Sequence, residues 1–346
     1  MLSARRRVLR TTAAGLAAAS LLAALTGTAA QATSSAPSDP ATAPLRASPT
    51  STMEVKGKAG GVLGEEWGPY AGDPVSFAID ARGDDPLKPN GTFHVVHSNP
   101  DGSLVAEFSG KVSSLYAVDE VGIVTGVIDR AEHPGVPQEV LGKEIALTVY
   151  DGGRQDRIGW VWGFFDAPVS RLQGTAPHFP VTWGNFHVHG DRGRQSSSAA
   201  PSSEQVELKS GTTGTNVLAV LGGKAPQSSD PLRVTLAARI APGDNALQVK
   251  GAFHFTHHKP NGRPVADFQG RITCLAVGGP VAVATGVVTK SADPTQIGKP
   301  VSFSLKDGPT DRLGWLRGFS STDAPITDCQ STTPFYAPAW GGLLVR

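Results

Sequence analysis

Apolar and polar positions alternate along most of this chain. Phe93, Val95 and His97 share one parity, and Thr92, His94 and Val96 the other. Ile145, Leu147 and Val149 alternate with Glu144, Ala146 and Thr148, and Val301, Phe303 and Leu305 with Ser302 and Ser304. Ile158, Trp160, Trp162 and Phe164 form an aromatic parity, which reads Leu313, Trp315, Arg317 and Phe319 further on. A period of two is the signature of half-buried strands, because successive side chains point to opposite faces. The strands are separated by turns such as Asn99-Pro100-Asp101-Gly102, Lys259-Pro260-Asn261-Gly262, Asp151-Gly152 and Asp307-Gly308. In these, Pro fixes φ and Gly accepts positive φ. No apolar stripe of helical period follows the first thirty residues, so the pattern predicts an all-β protein of low helix content.

The pattern occurs twice. Gly91–Ile128 and Gly251–Val288 align without gaps at a constant offset: Phe93 with Phe253, His97 with His257, Phe108 with Phe268, Gly126 with Gly286. After a short gap the match continues through Asp156-Arg157-x-Gly159-Trp160 and Asp311-Arg312-x-Gly314-Trp315. Upstream, Asp73-Pro74 answers Asp230-Pro231. Each unit is domain-sized rather than solenoid-sized. The fold class expected is therefore all-β: two tandem antiparallel β-sandwich or barrel-like domains related by internal duplication, over 53–190 and 205–346.

The flanking segments have other jobs. Residues 1–32 combine Arg5-Arg6-Arg7, the Ala/Leu run Leu16–Leu25 and an Ala30-Gln31-Ala32 cleavage site, the layout of a secretory signal. Arg5-Arg6-x-Val8-Leu9-Arg10 leaves both a Sec and a twin-arginine route open. Residues 33–52, rich in Ser, Thr, Pro and Ala, read as a disordered tether, and 191–204 as a flexible linker. No later apolar run is long enough to span a membrane, so the mature chain is expected to be soluble and extracellular. With 31 Lys and Arg against 30 Asp and Glu, the net charge is +1. That leaves no basic footprint for nucleic acid.

Cys274 and Cys329 are the two cysteines, both in the second copy; the first has Ser114 and about Leu172 in their places. Joint absence from one copy is what a disulfide partnership predicts, and export favours oxidation. The parity of Phe268, Ile272 and Cys274 points Cys274 inward.

Gly-x-Phe-x-x-x-His-x-x-Pro-[Asp/Asn]-Gly, then Phe-x-Gly-Arg-Ile-Thr-Cys-Leu in copy two, Val-x-Thr-Gly-Val and the Asp-Gly…Asp-Arg-x-Gly-Trp hairpin resemble a group of secreted actinobacterial β-domain proteins, some labelled repetin. The resemblance implies secretion and a β fold and no activity. Copy one departs from it at Ser113-Ser114-Leu115.

Candidate chemistry is sparse. His187 and His189, at i and i+2 on a terminal strand, share a face and could hold a metal; the other reading is a strand with one wet face. His97 and His257 recur before the Pro turn, as metal or ligand contacts or as hairpin caps bonded to a turn carbonyl. The recurrent Asp-Arg of the later hairpin reads as a turn acid plus a surface pair, Asp156 with Arg157. The chain carries no nucleophile elbow, no His-Glu-x-x-His and no phosphate loop, and no cofactor is implied. The function expected is a secreted, non-enzymatic binding or structural module with an extracellular or cell-wall ligand. The alternative is a metal-dependent protein using His187 and His189.

Overall fold

The computed structural model describes residues 52–132, 138–165, 167–190, 194–195, 214–226, 228–319 and 325–346. The expected signal segment, nearly all of the tether and most of the linker lie outside them. Copy one runs β1 (Met53–Val62), β2 (Pro74–Gly83), β3 (Asn90–Ser98), β4 (Leu104–Val118), β5 (Val121–Glu132), β6 (Glu144–Tyr150), β7 (Arg157–Trp162), β8 (Phe179–Pro180) and β9 (Trp183–His189). Arg194–Gln195 form β10. Copy two repeats the plan as β11 (Thr215–Lys224), β12 (Pro231–Ile240), β13 (Lys250–His258), β14 (Pro264–Gly278), β15 (Val281–Ser291), β16 (Pro300–Lys306), β17 (Arg312–Arg317), β18 (Tyr336–Ala337) and β19 (Trp340–Val345).

Each copy is one curled antiparallel meander in which sequence neighbours pair, except that the last strand returns beside the first. The order is β8-β7-β6-β5-β4-β3-β2-β1-β9 in copy one, and copy two matches it with β10 added at the β18 edge by parallel pairing. The curl brings the two edges of the sheet together. Thr182 N donates to Gly60 O on β1 while Phe179 and Pro180 pair with β7. The N–H groups that β9 leaves free of β1 are met by acids of the β6–β7 hairpin. Phe186 N donates to Asp156 Oδ2 at 2.7 Å and Val188 N to Asp151 Oδ2 at 3.2 Å. In copy two Val345 N donates to Asp307 Oδ2 at 3.0 Å. An exposed strand edge invites unwanted pairing, and here side-chain carboxylates cap it. Asp156 is buried and does not pair with Arg157, whose guanidinium donates to Pro177 O and His178 O. The expected surface pair is replaced by two separate structural roles.

The inward face carries the alternating apolar set: Val55, Phe77, Phe93, Val95, Ile145, Leu147 and Ile158, with Val217, Val234, Phe253, Phe255 and Phe303 in copy two. Bulges at Val112/Ser114 and Ile272/Cys274 break the parity of the long fourth strand of each copy. Beyond the bulge Leu115 and Leu275 join the interior cluster, whereas Cys274 is buried outside that cluster and bonded to Cys329. Parity alone pointed Cys274 the other way; one extra residue in the strand flips it. Copy one solves the same junction without sulfur. Leu172 N donates to Ser114 Oγ at 3.0 Å, and Leu172 and Cys329 share positive φ, 63° and 55°.

The segments carrying Leu172 and Cys329 also join the copies. Gly174 and Ser331 form an antiparallel bridge. Gln173 Nε2 donates to Pro325 O at 3.0 Å and Gln330 Nε2 to Pro168 O at 2.8 Å. Positions 168, 173 and 174 correspond to 325, 330 and 331 in the repeat, so the contact is reciprocal, like that across a two-fold axis. Charges follow suit. Arg312 reaches Asp119 at 2.7 Å and Lys306 reaches Glu120, while Arg157 lies against Gly279, the counterpart of Asp119. The contact thus takes the β4–β5 and β6–β7 turns of copy one. The other end of its curled sheet, bearing the β1–β2, β3–β4 and β5–β6 connections, is left for a site.

Candidate functional site

At that free end of copy one is a chamber of about 480 Å³, within the range of small-molecule sites. Its floor is the inward face of β2–β4, where Phe77, Val95 and Phe108 come up from the core. One wall is β7. Alternation along that strand puts Trp160, Trp162 and then Phe164 on one side, and their rings form a row. Trp160 and Trp162 have centroids 6.0 Å apart, Trp162 and Phe164 5.9 Å, both stacked.

The adjoining wall is the β1–β2 connection, 63–73. It turns twice through short 3-10 segments with a break at Gly68, φ 57°. The left-handed conformation there is open to glycine at little steric cost. Trp67 is thereby laid on Trp160, centroids 5.2 Å apart, and Tyr70 stands edge-on to the His97 ring at 5.4 Å. The base of the connection is pinned by Asp73, which is buried and lies 2.7 Å from His97 Nε2. Behind Trp67 and Trp160 packs His178, 4.8 Å from the Trp160 ring; burial pushes its pKa down, and neighbouring Arg157 pushes the same way. Tyr70 (49% exposed) and Phe165 (73%) stand at the mouth, with Glu139 and Lys143 as exposed charged groups on its rim. Such a space can hold an organic ligand by ring stacking and apolar burial, with polar recognition confined to the rim.

Copy two builds the same frame with other side chains inside it. Phe255 replaces Val95, Arg317 replaces Trp162, and the connection 225–230, with no aromatic residue, is shorter than 63–73. The Arg317 side chain is buried, 4% exposed, its guanidinium 6.0 Å from the Phe255 ring and 5.8 Å from that of Phe319.

The histidines singled out in the sequence fall into pairs with acids rather than into one cluster. His97 holds Asp73, and His257 lies 3.1 Å from Asp230. Burial resists ionisation of Asp230, but hydrogen bonds from Lys259 and His257 outweigh it and hold the carboxyl below its ordinary range. The two halves of this constellation, Asp-Pro and His, are both visible as repeats; that they touch is not. The hairpin-cap reading of His97 and His257 gives way to this carboxylate partnership, because the strand end faces the preceding connection rather than its own turn. His94 lies 2.6 Å from Glu107 and His254 2.8 Å from Asp267, across adjacent strands on the outer face. His187 and His189 share the exposed face of β9; His187 Nδ1 lies 3.6 Å from Asp151 Oδ2. Among the described residues no group of three or more His, Cys, Asp or Glu is placed to hold a metal ion. No helix among them is long and apolar enough to cross a membrane.

No protein-family model, no curated protein and no solved structure matches this chain. The site rests on its own geometry. On alternation alone Trp160 and Trp162 read as core, and they do pack against it while staying partly exposed to the chamber. The signal for that exposure was the disagreement between the copies, Trp162 against Arg317 and the long aromatic connection against the short one.

Proposed function

We propose that this chain is a secreted, non-enzymatic binding module in which copy one takes a small organic ligand into its aromatic chamber and copy two serves as a structural partner. One observation carries the reading: two copies of one frame have diverged at the mouth, one furnished with extra rings, the other with buried Arg317 in place of Trp162. Divergence confined to the core would have conserved volume on both sides. Export is supported by the basic-apolar-small layout of residues 1–32, by a disulfide of the kind that persists in oxidising compartments, and by the resemblance to secreted actinobacterial β-domain proteins.

The test transplants that difference. The chain from Thr33 onward is titrated with N-phenyl-1-naphthylamine, a neutral apolar fluorophore, beside its Trp162→Arg variant. Saturable binding by the parent, weakened at least about tenfold in the variant, is expected. Tyr70→Ala, which removes a wall residue that is half exposed, gives a second reading should Trp162→Arg fold poorly. Equal binding by parent and both folded variants would overturn the assignment.

A further inference from the structure

Resting on that reading, we propose that the ligand is a neutral, planar aromatic carbonyl compound whose oxygen accepts a hydrogen bond from the indoles of the wall. Trp67, Trp160 and Trp162 line the chamber and are half-buried. An indole ring offers one N–H donor and no acceptor. Among the described residues no protein acceptor meets any of these three N–H groups, and none of the three is sealed from solvent. Copy two gives the contrast at one of the positions. Trp315, the counterpart of Trp160, is 3% exposed, and its Nε1 is buried with no partner. The frame supplies no acceptor there in either copy, but in copy one the ring borders a space that a ligand oxygen can enter.

The remaining polar groups point to a neutral ligand. Asp73 and His97, 2.7 Å apart at the base, are matched to each other. Glu139 and Lys143 are exposed on the rim with opposite charges, so neither sign is favoured there. A charged head carried inward would leave water for a floor of Phe77, Val95 and Phe108, which is costly. A carbonyl also gives up water, but a hydrogen bond from an indole replaces what it loses, and a ligand without the oxygen leaves the donor unmatched. The ring planes set the shape. Trp67 and Trp160 are inclined by 25°, Trp160 and Trp162 by 23°, and Trp162 and Phe164 by 10°, while Phe108 stands edge-on to Trp162. A flat body stacks within such a set, and about 480 Å³ takes two fused rings with a short substituent.

The experiment is a ligand-observed NMR titration of the chain from Thr33 onward. Three probes of similar shape are used: 2-acetylnaphthalene, 2-isopropylnaphthalene, which lacks the oxygen, and the anion 2-naphthoate. The ketone is expected to bind at least about fivefold tighter than the hydrocarbon, with the anion weaker than the ketone. Trp67→Phe, Trp160→Phe and Trp162→Phe each keep a ring and drop the N–H. At least one of them should cut the ketone-to-hydrocarbon ratio by about threefold or more. Equal or tighter binding of the hydrocarbon would overturn the acceptor assignment while leaving the chamber as an apolar site. Tighter binding of 2-naphthoate would overturn the neutral assignment. A ratio unchanged in every variant that folds would overturn the role of the indoles. Binding of N-phenyl-1-naphthylamine with none of the three probes would overturn the ligand class. Failure of every probe, the fluorophore included, would overturn the chamber itself.

Discussion

The disulfide offers a quantitative test, because the molecule contains its own control. Cys274 and Cys329 lie 55 residues apart, so their bond closes a loop of that length in the unfolded chain. The chain-entropy relation then gives about 4 kcal/mol of stabilisation. For a unit of this size each kcal/mol moves the midpoint by about 2–4 °C, so the loss should lower Tm by roughly 8–16 °C. The perturbation is the pair Cys274→Ala with Cys329→Ala, set beside Cys274→Ser with Cys329→Leu. The second pair writes copy one's solution into copy two. In copy one Leu172 N donates to Ser114 Oγ at 3.0 Å, at a residue whose φ of 63° matches the 55° of Cys329. A buried hydrogen bond of this kind is worth about 1 kcal/mol, so the Ser/Leu pair should melt about 2–4 °C above the Ala/Ala pair. The assay is calorimetric unfolding of each variant and of the parent with and without reductant. If Ala/Ala and reduced parent melt with the oxidised parent, the bond does not constrain the unfolded chain. If Ser/Leu gains nothing over Ala/Ala, the two junctions are not equivalent and the hydrogen bond of copy one contributes nothing measurable.

Two further outcomes follow from the closure of copy one. Asp156→Ala strands Phe186 N–H and Gly152 N–H, which the carboxylate meets at 2.7 and 3.0 Å; a loss of about 3 kcal/mol is expected, seen as a Tm drop of about 6–12 °C, and an unchanged Tm would show the sheet edge is not sealed by this carboxylate. His178 is desolvated behind the Trp67–Trp160 stack, with Arg157 adding to the fall of its pKa below 6.5. A histidine depressed on folding binds its proton more readily unfolded, so its contribution is complete above the unfolded value and is lost as pH falls through the folded one. Between about pH 7 and about pH 5 the parent should therefore lose stability more steeply than His178→Phe; parallel slopes in denaturant titrations would refute the assignment.

What could be read in advance was local or repeated. Period-two alternation gave the strands, since Phe93 and Val95 or Val301, Phe303 and Leu305 need no distant partner to declare their face. The disulfide was legible because Cys274 and Cys329 vanish together from the other copy. Closure was not legible. The return of β9 to β1, the grip of Asp73 on His97 from 24 residues away and the reciprocal contact of Gln173 and Gln330 all depend on how far a sheet curls. Curl accumulates from twist and bulges that leave little trace in composition. The parity of Cys274 failed for that reason: a bulge at Ile272/Cys274 adds one residue and exchanges the faces beyond it. The chamber was missed because Trp160 and Trp162 look like core on alternation alone; only a sheet open at one end leaves such rings half buried.

The division between the copies has a physical logic. Rings left half exposed at a mouth forgo burial that a filled core would have gained, and a wall bearing Tyr70 and Phe165 in solvent is stabilised only when something sits on it. Copy two is built otherwise. It buries Arg317 where copy one has Trp162, its strand junction is cross-linked at Cys274, and Asp230 has Lys259 as well as His257 where Asp73 has His97. The reciprocal contact joins the two at the ends opposite the mouths, through Gly174 with Ser331 and Arg312 with Asp119. The contact leaves the opening of copy one uncovered, since every residue lining the chamber belongs to copy one. On this reading duplication does not double the site; it supplies one binding copy with a partner free to be built for stability. The consequence is directional: changes at Arg317 should be felt as stability, changes at Trp162 as affinity, although the two residues occupy the same place in the same frame.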